Sequence, residues 1–555
     1  MIIKVWPLVD LPRTAPAYYS YETAETINPG TLLKVPFRNK KVWGISLGPD
    51  PAPPINIKLS AVIKVFPEFI LPNWLMESLN LTSKIFLTTP INLATAILSP
   101  WLTQKPPLLT IPKNPFSTTL PKTTFIRNSR SDFSLLEKLL AHKKTLVLFP
   151  TVAIATASAA YFKNKNIILL TGAENKSALK KLWLKNESPE LFYIFGTRAS
   201  LFFPITNLKQ IIVWEASHQN YQEPDRQPYL NYLYLAELVA HQRNCHLFLT
   251  GPSLPLIRAS QPLLPAPAFK KPILVEGAST NINPLSPSHL NYLDEALAQK
   301  KLVVIYHNRL QSKFTYHCQT CHHLFYENKK NCPICESLNI SAWPNLTQEE
   351  IKTQLKLSFP AQTIFTLTDK PLLLPPASGA IILATSSLFT QPLPWKKQLA
   401  CLCLPSLRSL SSDYSFKQSE DYYHNLWQLA DLATSTKATF ILGLNSKDFQ
   451  PWSKIFLPED EKIFWSDLLN ERKKFAYPPY EVLWHFSLDK MPESEQLVIK
   501  NWLNEKLGRH TPKLPENIHL KIADHMRLAC EVWPKEAKNL PKVIPAGYNL
   551  YYEFA

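Results

Sequence analysis

Glycine is scarce: the 555-residue chain holds 11, well under half the usual share of about 7%. None lies between Gly48 and Gly172, and no glycine is followed by lysine anywhere. A Walker A phosphate loop needs glycine so that consecutive backbone N–H groups can curl around phosphate. It also needs Lys and Ser/Thr for the γ-phosphate and Mg²⁺. That loop is excluded in every register. No run of 18 apolar residues occurs, so no membrane span is expected. The start, Met1-Ile2-Ile3-Lys4-Val5-Trp6, lacks a basic segment followed by a long apolar run, so no export signal is expected. Cysteine is limited to 8 residues, and four of them (Cys245, Cys401, Cys403, Cys530) are scattered in apolar surroundings. A disulfide framework is thereby disfavoured, and a reducing cytoplasm is the expected setting. Blocks of like charge, internal repeats and low-complexity tracts are lacking too.

What is present is a basic surplus, 60 Lys and Arg against 43 acids for a net +17. A surplus of that size points to a partner of dense negative charge, above all nucleic acid. The length implies several domains. Proline, at 50 residues, is nearly twice its usual share of about 5% and marks the joints.

Short alternating runs at Ile2–Leu8, Leu32–Phe37, Val42–Leu47 and Ala61–Phe66 predict a small barrel-like β domain, followed by helical spacing at Trp74–Leu87 and Asn92–Leu98. A proline-rich linker follows. From Thr123 strand and helix alternate, with apolar runs at Leu146–Phe149, Ile167–Leu170, Leu191–Phe195, Ile211–Val213 and His246–Thr250 that suit buried parallel strands. A second α/β block reads as strands at Leu302–Tyr306, Thr363–Leu367, Ala380–Ala384, Leu399–Leu404 and Thr439–Leu442. The expected division is 1–103, a 104–122 linker, 123–262, 263–453 with an insert at 316–338, and 454–555.

Inside the insert, Cys318-x-x-Cys321 and Cys332-x-x-Cys335 are separated by ten residues. Two such knuckles predict four thiolates around one structural Zn²⁺. His317, His322 and His323 are read as surface or supporting groups.

Several motifs then fall in one order. Leu11-Pro12-Arg13-Thr14, Tyr19-Ser20-Tyr21, Pro29-Gly30 and Val35-Pro36-Phe37 precede Gly44. Gly196-Thr197-Arg198-Ala199-Ser200-Leu201-Phe202-Phe203-Pro204 is followed by Asn207-Leu208. Asn308-Arg309 precedes the cysteines, and Glu471-Arg472 precedes Tyr477-Pro478-Pro479-Tyr480. Over most of its length the chain resembles the primosomal replication-restart helicases of the PriA family. The resemblance implies an α/β fold: two RecA-like lobes, an N-terminal β-rich domain that captures a 3′ DNA end, a zinc insertion and a small α+β C-terminal domain. It implies DNA forks, single strands and 3′ ends as partners, with helicase-loading proteins beside them. Carried over residue by residue, Tyr19, Ser20, Tyr21 and Gly44 fall on the end-binding pocket, and Arg198 is a candidate phosphate contact.

The departures are as ordered as the matches. The Walker A position reads Ile126-Arg127-Asn128-Ser129-Arg130-Ser131-Asp132. Where the family has Asp-Glu-Glu-His, this chain has Trp214-Glu215-Ala216-Ser217. Gln428-Leu429-Ala430-Asp431-Leu432-Ala433-Thr434-Ser435 lacks both arginines of the family's motif VI, a group worth roughly 10³–10⁵ in rate in related NTPases. No catalytic or nucleotide-binding residue is therefore assigned, and neither ATP nor Mg²⁺ is expected as a cofactor. The family's winged-helix domain has no room in the linker. One zinc site is kept where the family has two, and the family's usual acid at Ser20 and lysine at Ser60 are absent. The expectation is a DNA-binding restart protein without ATP-driven unwinding. The rivals are an active 3′→5′ helicase with an unrecognised nucleotide site, and a protein-interaction scaffold that has lost DNA binding.

Overall fold

The computed structural model describes residues 1–474 except 12–14, 55–56, 86–87, 99–101, 103–122, 141–142, 164, 173, 175–189, 223–229, 254, 256–270, 277–284, 309–313, 321–323, 326–327, 333–336, 345–346, 368–378, 411–417 and 445–457; beyond them it describes 483–487, 527–531 and 549–553. The expected 104–122 linker lies outside these residues.

The N-terminal sheet joins β1 (Ile2–Pro7), β2 (Tyr19–Glu22), β3 (Thr31–Phe37), β4 (Lys40–Pro49) and β5 (Lys64–Ile70), in the order β2-β1-β4-β3-β5 and antiparallel throughout. It is open along its length but tied at one end: Glu22 N–H donates to the Ser60 carbonyl, and Val62 N–H donates to the Glu22 carbonyl. Alternation sends Ile3, Val5, Leu33 and Val35 to one core and Trp6, Leu32 and Ile45 to another. Helices α1 (Asn73–Ile85) and α2 (Pro90–Leu98) bury Leu75, Leu79, Ile91 and Leu93 in that second core.

Lobe 1 contains β6 (Thr123–Arg127), α3 (Phe133–Leu139), β7 (Thr145–Leu148), α4 (Val152–Tyr161), β8 (Ile167–Leu170), β9 (Tyr193–Gly196), β10 (Gln210–Val213), α5 (Tyr232–Gln242) and β11 (His246–Gly251). Its six strands run in the order β6-β11-β10-β7-β9-β8, and every pairing is parallel. β7, β9 and β10 are buried at every position, which is why they read as unbroken apolar runs.

Lobe 2 opens with β12 (Ile273–Glu276), α6 (Pro287–Ala298) and β13 (Leu302–Tyr306). The small antiparallel sheet of β14 (Phe314–Cys318), β15 (Leu324–Phe325) and β16 (Ile340–Pro344) is inserted next. The lobe resumes with α7 (Gln348–Ser358), β17 (Ile364–Leu367), β18 (Ala380–Ala384), α8 (Ser387–Thr390), β19 (Leu399–Leu404), α9 (Gln418–Thr436) and β20 (Thr439–Leu444). The order β12-β20-β19-β13-β18-β17 is again wholly parallel. The long helix α10 (Pro458–Lys474) follows. Strands β21 (Leu483–Ser487), β22 (Arg527–Glu531) and β23 (Asn549–Glu553) then form a separate antiparallel sheet.

Among the described residues no helix is long and apolar enough to cross a membrane. One hydrophobic core runs through the N-terminal sheet, lobe 1, lobe 2 and α10, joining Trp6, Leu75, Ile211, Leu235, Tyr306, Phe389, Tyr423 and Trp465. The N-terminal unit docks through α1 on α5, where the buried Arg243 guanidinium lies 4.4 Å from the Trp74 ring centroid.

Candidate nucleic-acid interface and the interlobe cleft

Register alone assembles the N-terminal cluster. β1 pairs with β2 so that Lys4 faces Ser20, and with β4 so that Lys4 also faces Gly48, two residues before Asp50. The Ser20 hydroxyl donates to Asp50 at 2.6 Å, and Lys4 Nζ lies 4.0 Å from the same carboxylate. Lys4 also sits 4.6 Å from the Tyr18 ring centroid. The Asp50 side chain is fully buried, so an acid just after β4 stands beside Ser20, whose own position carries an acid in the resembled family. Lys4 and Asp50 escaped sequence reasoning because only strand pairing brings them to Ser20. Beside Tyr18 a cavity of 370 Å³ opens between sheet and α1, lined by Trp6, Leu47, Met76, Glu77 and Asn80. That is within the roughly 300–1,000 Å³ range of small-ligand pockets.

The other expected contacts divide. Tyr19 is half-buried and meets Phe37 edge-on at 5.1 Å. Tyr21 is a core residue, 4% exposed; its hydroxyl donates to the Pro36 carbonyl at 3.0 Å, and burial followed by Tyr19's charge pushes its pKa up to about 12. Burial leaves its ring no face for a base. Gly44 is required by packing, since a Cβ there would lie 2.9 Å from Val5 and 3.2 Å from Val35. Gly196 is likewise forced, because a Cβ would lie 2.2 Å from the Ser200 hydroxyl. Arg198 donates to the Asn220 carbonyl at 2.8 Å and lies over Tyr232. Those internal partners engage its guanidinium.

Among the described residues, side chains of the chain itself bridge the two parallel sheets. β6 ends at Arg127, and residues 128–132 turn into α3, the segment whose sequence aligns with the phosphate loop of the resembled family. Asp132 caps α3, its carboxylate accepting from Ser134 N–H. An anionic side chain therefore already occupies the helix end that attracts anions. Arg130 reaches across to lobe 2: its backbone N–H donates to Asp431 at 3.0 Å and its guanidinium to the Phe389 carbonyl at 2.9 Å. The same guanidinium lies 3.6 Å from Glu215. Arg127 forms a bidentate pair with Glu461 of α10 and donates to Tyr423, while Trp427 lies against its guanidinium at 4.6 Å. Trp214 stacks on Phe133, the first residue of α3, at 5.7 Å and 23°.

A second chain of contacts crosses the lobes through Ser217, Ser253 and His424 (2.6 and 2.9 Å) and ends at Glu420 and Arg472. Thr151, the N-cap of α4, donates to the Thr390 carbonyl at 2.9 Å.

Burial sets the protonation of the cleft. It lifts Glu215 to about 7, with Arg130 opposing and Asp431 adding to the rise. It lifts Asp431 to about 6 against the pull of the Ser129 hydroxyl and Arg130. His218 falls to about 3, first by burial and then by the charge of Arg130, despite its bond to the Phe389 carbonyl.

In the insert, Cys318 and Cys332 are both buried and form their own small cluster. The Cys332 N–H donates to the Ser337 carbonyl at 2.9 Å. Cys321 and Cys335 lie outside the described residues. Among the described residues no group of three or more metal-ligating side chains is assembled.

No protein-family model matches the chain. Solved structures with a similar course include RecG bound to a three-way DNA junction, with TM-score 0.35 and 12% identity over 72% of this chain and 47% of RecG. The chain thus spans about half of RecG's length. S. cerevisiae Dbp5 bound to RNA and ADP BeF3 gives TM-score 0.34 and 11% identity, covering 73% of this chain and 97% of Dbp5. The Mycobacterium smegmatis helicase Lhr bound to ssDNA and AMP-PNP gives 0.31 and 12%, covering 68% of this chain and 53% of Lhr.

Proposed function

We propose that this chain is a PriA-like DNA-binding protein of replication restart, which recognises forked or single-stranded DNA and uses its two lobes as a fixed platform without ATP-driven unwinding. The observation that carries the motor half of this reading is Arg130. It stands where a phosphate loop would hold nucleotide, and it is spent on Asp431, Phe389 and Glu215. Two neighbouring positions support the same reading. Trp214 replaces the acid that would organise Mg²⁺, and the Asp132 carboxylate covers the end of α3.

The DNA half rests on the +17 charge, on the ordered PriA-like motifs, and on the Tyr18, Ser20, Lys4 and Asp50 cluster beside the 370 Å³ cavity. In this reading Tyr18, on the same face as Ser20, stacks a base, and Ser20 with Asp50 bonds the terminal sugar of a 3′ end, while Tyr19, paired with Val5, faces the other side of the sheet. Tyr21 and Gly44 shape the sheet beneath them, and Arg198 is a scaffold residue. Cys318, Cys321, Cys332 and Cys335 hold one structural Zn²⁺, which would give the insert a core. The adjacent burial of Cys318 and Cys332 fits that ligand set. Helicase-loading proteins are the expected clients, and the cytoplasm is the expected setting.

Fork binding by the full chain tests the reading. Affinity should fall steeply with salt, as phosphate contacts release counterions, and should be the same with and without ATP. Tyr18→Ala should weaken binding to a fork with a free 3′ end by about 5- to 150-fold, the span of one lost base stack, while blunt duplex binding changes little. Absence of fork affinity would leave a protein scaffold as the function, and ATP-dependent strand separation would leave an active helicase.

A further inference from the structure

At the opposite end of β4 from Gly48, the N-terminal sheet carries lysines and aromatics that end recognition does not use. Register sets Lys34 of β3 directly between Trp43 of β4 and Lys64 of β5. The next row on the same face is Ile45, Leu32 and Phe66. Ile45 and Leu32 are fully buried in the core shared with α1 and α2, while Trp43 and Phe66 are half-buried at its rim. Their rings lie 5.2 Å apart at 57°. Lys34 Nζ is 3.7 Å from the Trp43 ring centroid, and Lys64 Nζ is 4.9 Å from that of Phe66. Lys41, opposite Pro36, is exposed one row further along. Among the described residues none of these three lysines has an ion-pair partner. The acid of β5, Glu68, lies where the β3 pairing is irregular.

This alternation has the chemistry of single-strand recognition, in which aromatic faces accept bases of any sequence and cations beside them track the backbone. A lysine resting on a half-buried ring at the edge of solvent is held by a modest attraction, so it can yield the ring to a base and turn to a phosphate. An ordinary solvated sheet face would not align two aromatics with unpaired lysines from three strands.

We propose that the Trp43–Phe66 face is a stacking platform for single-stranded nucleic acid, with Lys34, Lys41 and Lys64 as its phosphate contacts. The inference rests on the nucleic-acid reading above but not on recognition of a 3′ end.

The test uses the full-length protein with oligo-dT and oligo-U carrying 3′-phosphates, which offer no free 3′-hydroxyl, and in parallel a fork with a free 3′ end. Trp43→Ala with Phe66→Ala should lose about tenfold or more in affinity for the blocked strands, the range expected for lost base stacks, whereas Trp43→Phe should retain most of it. Lys34→Ala with Lys64→Ala keeps both rings and the fold. It should make the slope of log affinity against log salt shallower by about 1.4, two phosphates at roughly 0.7 each for a single strand. Loss on dT and U alike marks a strand platform, and loss on one marks its preferred sugar. Unchanged affinity of the folded aromatic variant, or an unchanged slope for the lysine variant, would overturn the platform. Wild-type protein that binds forks but neither blocked strand would overturn it and leave the fork reading standing; wild-type protein that binds nothing would overturn both.

Discussion

At the residue scale, the cleft is held by hydrogen bonds that Arg130 makes across the lobes. A helicase of the resembled family presents arginines from lobe 2 to a phosphate held by lobe 1. Here the Arg130 backbone N–H of lobe 1 donates to the Asp431 carboxylate of lobe 2, and its guanidinium donates to the Phe389 carbonyl. The losses were visible in the sequence as missing glycine, lysine and arginine. The replacement pairing was not, because 301 positions separate Arg130 from Asp431 and no local pattern links them. Ser20 is a parallel case: its missing acid was legible, while Asp50 beside it was not.

Glu215 offers a test of this cleft. Its folded pKa of about 7 is above the ordinary 4.5, so the folded state holds a proton that the unfolded chain releases between these values. Stability from this group is therefore full below about pH 4.5 and is lost as pH rises to about 7. Glu215→Gln does not titrate. Its stability relative to wild type should rise across that window by an amount on the order of 1 to 3 kcal/mol, measured by urea unfolding at a series of pH values. His218 works in the opposite sense below its ordinary value and is common to both proteins; Asp431, raised to about 6, titrates in the same window and the same sense, so the difference reports Glu215 together with its coupling to Asp431. A difference that stays flat with pH would mean Glu215 is ionised and well paired.

At the scale of elements, continuous apolar strands were the most legible. Leu302–Tyr306, Ala380–Ala384 and Leu399–Leu404 run as their sequences imply, because burial on both faces demands unbroken apolar side chains. β2, β6 and β12 were missed. β2 reads Tyr-Ser-Tyr-Glu and β6 Thr-Thr-Phe-Ile-Arg, too short or too polar to announce a strand, and each sits at a sheet edge. The insert is legible in the opposite way, through cysteine spacing more than hydrophobicity. Its sheet has one strand of two residues, and a domain of this size rarely folds on a core alone. One zinc per chain is the expected result of metal analysis on purified protein. Cys318→Ser should remove it and raise protease sensitivity within 314–344. A zinc-free protein whose insert resists protease equally well would contradict the assignment.

At the scale of the whole molecule, the separate lobes that the linkers suggest are joined by one core running from Trp6 to Leu468. Composition could not show this, since the apolar residues that seal the lobes look like any others in the chain. The joint is reinforced by Arg127 with Glu461, Arg130 with Asp431, and Ser253 with His424. A motor must open and close such a cleft in each cycle. Opening this one would expose the shared core and strand buried charges, and breaking a single buried ion pair typically costs about 3–5 kcal/mol. The most direct measurement is ATP hydrolysis by the full-length protein at saturating forked DNA with Mg²⁺. The expected rate equals the protein-free background and does not respond to DNA. Turnover that DNA accelerates, and that an Arg130→Ala substitution abolishes, would contradict the account.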